Sequence, residues 1–167
     1  TLLTEVSEVS HFPKGRLTFL PTPAGLAGII DGVEVSSSQE SPAPLVREGN
    51  VDGAVINGDA ARLRQALSAV ASAVAREIMD EGALHMLTDI RERANGREAF
   101  IAVGSERIAR GLLTAPRESL TAFDATRGGS GLSLVIARQV VEDHGGRLFG
   151  APGEQSKAGA AIALPLS

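Results

Sequence analysis

Residues 128–146, with the sequence GGSGLSLVIARQVVEDHGG, decide the fold of this chain. A glycine-rich turn leads directly into an amphipathic helix predicted over residues 131–144, which stops at a Gly-Gly pair. The residues predicted to face inward are Leu132, Val135, Ile136 and Val140. Such a turn lets the backbone pass close to an anion and offer it a helix N-terminus. A glycine cluster alone is weak evidence for nucleotide binding, because a plain loop before a helix has the same composition.

The composition is that of a globular domain. The chain has 167 residues, of which 43% are apolar and 22% charged, so it is long enough for one domain with a real core. A net charge of −4 gives no reason to expect a nucleic acid or an anionic membrane as partner. The absence of cysteine excludes disulfides, a thiolate nucleophile and a cysteine-ligated metal site.

No targeting or spanning segment is visible in the sequence. No apolar run approaches the ~20 residues that cross a bilayer, and no signal peptide opens the chain, so we expect a cytoplasmic protein. The chain opens without Met, on Thr1 in a stretch that reads as the inside of a helix. We therefore expect a piece of a longer protein.

The best helix in the sequence is predicted over residues 60–79. Its apolar residues recur at spacings of four, three, four and four, which places them on one helical face. They are Leu63, Leu67, Val70, Val74 and Ile78. Asp59 is a good N-cap for this helix.

The remaining segments predict a mixture of strands and helices. Asn95-Gly96 is a strong hairpin signal between strands over 84–93 and 97–103, and a second antiparallel pair is predicted over 147–150 and 158–166. Shorter helices are predicted over 1–9 and 24–35, strands over 16–20 and 51–56, and irregular structure over 36–44 and 104–128. The sequence therefore predicts an α+β fold, with helices on one face of a mixed, mostly antiparallel sheet.

Several strings resemble, in their order and spacing, the catalytic ATP-binding (CA) domain of sensor histidine kinases. They are GDAARLRQAL at 58–67, GGSGLSL at 128–134, HGGRL at 144–148 and AAIALPL at 160–166. The resemblance implies the two-layer α/β sandwich of the Bergerat (GHKL) type. It also implies that residues 1–23 correspond to the end of a dimerisation helix and its linker, and residues 24–167 to the CA domain.

The resemblance also implies that much of the nucleotide site has been lost. The asparagines that hold Mg²⁺ and the phosphates in the family fall at Ala69 and Ala73, and the basic residue that follows falls at Arg76. The aspartate-containing first glycine box is missing after Val103, where only Glu106 could substitute. In the second glycine box Ser133 stands in place of the last glycine. The vestigial phosphate or lid positions are Arg76, Gly128, Gly129, Ser130 and Gly131.

Two functions remain open on these residues. The first is a degenerate, pseudokinase-like CA domain without a cofactor, which contacts a response regulator or the upstream dimerisation and histidine domain. The alternative is an active kinase domain that binds Mg-ATP and phosphorylates an upstream histidine, using other ligands such as Glu106, Asn57 or Glu77. An ATPase or chaperone module of the same fold is a third reading, which the kinase-like linker in residues 1–23 disfavours.

The histidines and arginines have structural interpretations. His144 lies in the last turn of a helix before two glycines, which favours a capping role over catalysis. No His or Cys at ligand spacing accompanies His11 or His85, so we predict no metal site and assign no catalytic residue. Two interpretations apply to Arg62, Arg64 and Arg76 on one helix and Arg127 at the glycine turn: a modest basic cluster or, as we expect, pairing with surface acids.

Overall fold

The computed structural model describes residues 22–35, 45–51, 53–77, 83–94, 96–115, 120–123, 131–150 and 159–166. Within these ranges the helices are α1 (Leu26–Asp31), α2 (Ala60–Glu77), α3 (Glu106–Thr114) and α4 (Gly131–Asp143). The strands are β1 (Thr22–Gly25), β2 (Leu45–Glu48), β3 (Val55–Gly58), β4 (Leu84–Arg93), β5 (Gly96–Gly104), β6 (Thr121–Ala122), β7 (Arg147–Gly150) and β8 (Gly159–Pro165).

Six of these strands form the central sheet, in the order β2-β4-β5-β8-β7-β6. The β2–β4 pair is parallel, and the other neighbours in this sheet are antiparallel. Strands β1 and β3 form a separate antiparallel pair. The predicted α+β fold with a mixed, mostly antiparallel sheet is confirmed.

Both predicted antiparallel pairs are present in the sheet. Strands β4 and β5 pair from Arg93 opposite Gly96 to His85 opposite Gly104. Gly96 has a φ of 128°, a conformation that L side chains rarely adopt, which explains the glycine at the start of β5. The second predicted pair forms between β7 and β8.

The first face of the sheet carries the main core. Along β5, Ala99, Ile101 and Val103 point to this face, where helices α1, α2 and α4 complete one large apolar cluster. The predicted inward residues of α2 within the described range are all buried there. The prediction that Asp59 is the N-cap of α2 is confirmed, since its Oδ1 accepts a hydrogen bond from the Arg62 backbone N–H at 3.1 Å. The sequence predicts α2 correctly because the apolar face of this helix is buried and its N-terminus is capped.

The second face carries a helix that the sequence analysis missed. Residues 104–128 were predicted to be irregular, and this was wrong, because α3 occupies Glu106–Thr114 and the short strand β6 follows. Ser105 caps α3 by accepting a hydrogen bond from the Ile108 N–H. The helix buries Ile108 and Leu112 against Leu87 and Ala102. One described helix therefore lies on the face opposite the other three, so the prediction of helices on one face holds for α1, α2 and α4 but was wrong for α3.

The inward face of α4 was also predicted in the wrong phase. Val135 and Ile136 are 38% and 49% exposed. The side chains that α4 buries are instead Leu134, Ala137, Val140 and Val141. Four consecutive apolar residues in this helix, at 134–137, leave the direction of its inner face undetermined by periodicity. The side chain of Leu132 lies outside the described set.

Smaller differences concern the N-terminal half. The helix predicted over 24–35 is the shorter α1, because residues up to Gly25 pair with β3. The strand predicted over 51–56 is β3, which starts four residues later, and β2 was not predicted. The segments predicted over 1–9, 16–20 and 36–44 lie outside the described residues, and the domain boundary at residue 23 stays a prediction. None of the described helices is both long and apolar enough to cross a bilayer.

Candidate functional site

A groove between α2 and α4 lies where the resemblance would place the nucleotide phosphates. Its volume is about 190 Å³. Its lining is Arg62, Gln65, Ala66 and Ala69 from α2, and Ile136, Ala137 and Val140 from α4. Ala69 is one of the two positions that align with the family's asparagines, so the groove is the described part of the expected site.

The lining of this groove is poor in groups that hold phosphate or Mg²⁺. Hard divalent cations take oxygen ligands, and Ala69 has none to offer. Ala73, the second aligned position, is only 3% exposed and lies within the large apolar cluster. The charged side chain in the lining, Arg62, has its Nε 3.5 Å from the Asp59 carboxylate. The groove is therefore an apolar slot with a polar rim at one end.

The five vestigial positions from the sequence are not brought together by the described residues. Gly128, Gly129 and Ser130 lie outside them. Gly131 is the first residue of α4, and Arg76 belongs to the last turn of α2 with its side chain outside the described set. Their contact with a phosphate stays a prediction.

The segment after β5, where the first glycine box was sought, turns to the second face of the sheet. Glu106 begins α3 there, and its Oε2 accepts hydrogen bonds from Arg110 Nε at 3.1 Å and Nη2 at 2.9 Å. Arg110 also contacts Glu48 at 2.9 Å. The hydrogen bonds that Arg110 donates to Glu106 and the negative charge of Glu48 raise the pKa of Arg110. Glu106 is thus engaged in a surface ion pair on the other side of the sheet from the groove.

His144 joins the two helices that form the groove. Its Nδ1 lies 2.7 Å from the Val140 carbonyl oxygen, which confirms the predicted capping of α4. Its Nε2 accepts the Asp59 backbone N–H at 2.9 Å, so the ring is neutral with the proton on Nδ1. The ring is 9% exposed and ties the end of α4 to the start of α2.

Gly58 makes this tie sterically feasible. A Cβ on Gly58 would lie 2.1 Å from His144 Cδ2, far inside contact distance. Neither this contact nor the Asp59 hydrogen bond was predicted from the sequence, because 85 positions separate Asp59 from His144. The HGG and GD strings are the features of the sequence that could have indicated this contact between His144 and the Gly58-Asp59 segment.

The other singled-out residues have structural roles. Phe123, in the segment before the glycine-rich turn, is buried in the large cluster. The Arg64 side chain lies against Gly32, the residue that follows α1. His85 Nδ1 lies 3.3 Å from the Ala83 carbonyl oxygen. Across the described ranges, no three or more His, Asp or Glu side chains converge on a possible metal site.

Comparison with known proteins gives a structural likeness without a sequence match. No family model matches the chain, and no curated protein matches it. Among solved structures, it is similar to the mycobacterial sensor histidine kinase MprB, with 18% identity, a TM-score of 0.48, and 87% of this chain and 98% of that chain covered. It is also similar to the catalytic domain of histidine kinase ThkA, with 18% identity, a TM-score of 0.47, and coverages of 88% and 96%.

Proposed function

We propose that this chain is a histidine-kinase-like CA domain of a cytoplasmic two-component signalling protein, with lost or weak ATP binding. It would act through packing and protein contact, as a regulatory or docking module. The family part of the proposal is supported by the order of the GDAARLRQAL, GGSGLSL and HGGRL strings on a fold of the required class. The observation that carries the loss of ATP binding is the apolar lining of the α2–α4 groove.

The electrostatics of the α2–α4 groove disfavour the binding of phosphate. Phosphoryl transfer depends on positioning the phosphates and neutralising their charge. In the groove, Ala69 and Ile136 stand where oxygen ligands and polar contacts would be needed. Arg62 already faces a carboxylate. Placing a triphosphate against this lining would strip water from its charges without replacing the lost interactions.

The path of the chain after β5 disfavours the recognition of adenine. The chain leaves β5 at Gly104 and immediately forms α3, whose apolar residues are buried on the second face. Glu106, the one carboxylate that could replace the missing aspartate, is bonded to Arg110 there. The region that recognises adenine in the family would in this chain serve as a structural helix.

The docking part of the proposal is supported by α4. Val135 and Ile136 are adjacent large apolar side chains left exposed on the same helix, and Ile136 also lines the groove. An apolar patch of this kind beside a groove suits a protein contact. The proposed partners are the upstream dimerisation and histidine domain of the same protein, or a response regulator.

The test of the proposal is thermal unfolding with and without Mg-ATP. A ligand at 100 times its dissociation constant adds about 2.7 kcal/mol to the free energy of unfolding. We expect no shift in the melting temperature at concentrations that stabilise ordinary kinase domains. A Mg-dependent shift would contradict the proposal and support the active kinase.

If Mg-ATP does raise the melting temperature, a matched variant shows whether the nucleotide binds in the α2–α4 groove. Ile136→Glu places a negative charge at the exposed rim of the groove without touching the buried core, so it should leave the unliganded melting temperature nearly unchanged. A nucleotide shift abolished by Ile136→Glu, whose carboxylate repels phosphate, would assign ATP to the groove. A shift that survives it would assign binding elsewhere, and the groove would remain without a nucleotide.

A further inference from the structure

We propose that a second cleft, at the β4–β5 hairpin end of the sheet, binds a small oxyanion: a phosphate or a carboxylate head group. The cleft has a volume of about 190 Å³ and is lined in part by Arg93, Arg97 and Arg147. It shares no lining residue with the α2–α4 groove, so the inference holds whether or not that groove binds a nucleotide.

The cleft lies where three strand ends meet. The end of β4 and the start of β5 bring Arg93 and Arg97, and the start of β7 brings Arg147. Gly146 and Ala163 form part of the wall between them. A Cβ on Gly146 would lie 2.2 Å from the Ala163 carbonyl oxygen, so the glycine allows these backbones to close together.

The charge of the cleft is opposite to that of the chain. Its ionisable lining consists of three arginines and Glu98, a local charge of +2 in a chain of net charge −4. Arginine presents a planar fork of N–H groups that matches phosphate and carboxylate oxygens. This local excess of guanidinium groups selects for an anion.

One of the three guanidinium groups is already held in place. Arg93 donates from Nε to Glu98 Oε2 at 2.9 Å, and its Nη2 lies 2.9 Å from the same oxygen. The Glu98 side chain is 13% exposed, so this pair is anchored against the sheet. Arginine has five N–H donors, and those not turned to Glu98 stay available to a ligand. A fixed donor group binds with less loss of conformational entropy.

The other two arginines are exposed and carry no ion pair with an acid in the described part of the chain. Arg97 and Arg147 stand on different strands, on either side of the cleft. The Gly145 and Gly146 amides donate within the chain, to the Glu142 and Val141 carbonyl oxygens, both at 2.9 Å. Recognition of the anion therefore rests on arginine side chains, which substitution can remove without disturbing the backbone.

The size of the cleft limits the ligand. Pockets for drug-sized ligands usually enclose at least about 300 Å³. At about 190 Å³ and open to solvent, this cleft fits one small anionic group. Because the arginines are exposed, salt will screen the interaction, and we expect weak binding that falls with ionic strength.

The experiment is an NMR titration of the ¹⁵N-labelled full chain with inorganic phosphate, against chloride at equal ionic strength. We expect saturable shifts of the Gly96, Gly145 and Gly146 amides. The Arg97→Gln/Arg147→Gln double variant should weaken binding about tenfold or more, as expected when charge-assisted hydrogen bonds are removed. Arg138→Gln, at an exposed arginine of α4 outside the cleft, is the control and should bind as the parent does.

A second titration with succinate identifies the head group. Saturation by phosphate alone supports a phosphate site, and saturation by succinate alone or by both supports a carboxylate or general oxyanion site. Shifts that do not saturate with either anion overturn the proposal. Unchanged binding in the double variant, or an equal loss in Arg138→Gln, overturns it as well.

Discussion

The two faces of the central sheet are covered in different ways. The first face is buried by three helices that share one large apolar cluster, and α2 and α4 are tied there through His144. The second face is covered by α3 alone, over two smaller clusters. The polar contacts around α3 include a capping serine and the Arg110 ion pairs. They also include Arg91, which donates to the Leu113 carbonyl oxygen and lies over the Phe100 ring.

The difference shows where the described parts of the GD, GGSGLSL and HGG strings lie. Helices α2 and α4, which follow the first two strings, both pack in the large cluster of the first face, and Leu134 is buried there. The segment after Gly104 forms α3, which covers the second face. Under the proposed function, the strings are kept where their residues pack in the core, and the first glycine box is replaced by a helix of the second face.

The largest expected effect compares the same truncation on the two faces. Leu67→Ala removes a fully buried side chain from the large cluster, and Leu112→Ala does so beneath α3. Leu→Ala in a core costs 2–5 kcal/mol, so we expect about 4 for Leu67 and about 2 for Leu112, where a short helix can settle into the space. Urea unfolding measures both. Equal losses would show that the faces are packed alike.

A second comparison tests the tie on the first face. Gly58→Ala forces a Cβ against His144 Cδ2, and overpacking of this kind costs about 2 kcal/mol. In a His144→Ala background the clash partner is gone, so Gly58→Ala should cost almost nothing there. A double-mutant cycle by chemical denaturation gives the coupling. If the two substitutions have additive effects on the free energy of unfolding, Gly58→Ala destabilises the chain through something other than its contact with His144.

The N-caps provide a matched pair between the faces. Ser105→Ala removes the cap of α3 and Asp59→Ala removes the cap of α2. Each should lower the free energy of unfolding by about 1 kcal/mol. Ser105→Thr keeps the hydroxyl acceptor without burying a charge and serves as control, with most of the stability retained. If Ser105→Ala is neutral by thermal unfolding, α3 does not depend on its cap.

The smallest expected effect is at the surface of the second face. Glu106→Gln weakens the ion pair with Arg110, and exposed pairs of this kind contribute little. We expect a change in melting temperature close to experimental error, and smaller still in high salt. The raised pKa of Arg110 keeps its charge, and any stabilisation, up to strongly alkaline pH, so no dependence should appear near neutrality. A large loss would mean that Glu106 does more than pair at the surface.

The parts of the fold that the sequence predicted are those that local rules govern. The period of α2, its Asp59 cap and the Asn95-Gly96 hairpin signal are encoded within a few residues. The phase of α4 was missed because its apolar run is continuous. Helix α3 was missed because Gly111 and Pro116 indicated irregular structure in this segment. The groove lining and the arginine cleft depend on residues far apart in the chain, which periodicity does not bring together.

The hydrogen bond between His144 and Asp59 has a consequence for how the chain folds. It spans 85 positions, so the loop it closes encloses half of the sequence, and it forms only after α4 has docked. Until then the α2 N-terminus lacks one partner and the α4 end lacks its fixed ring. The two helix ends should therefore become protected from hydrogen exchange together, as one late cooperative unit.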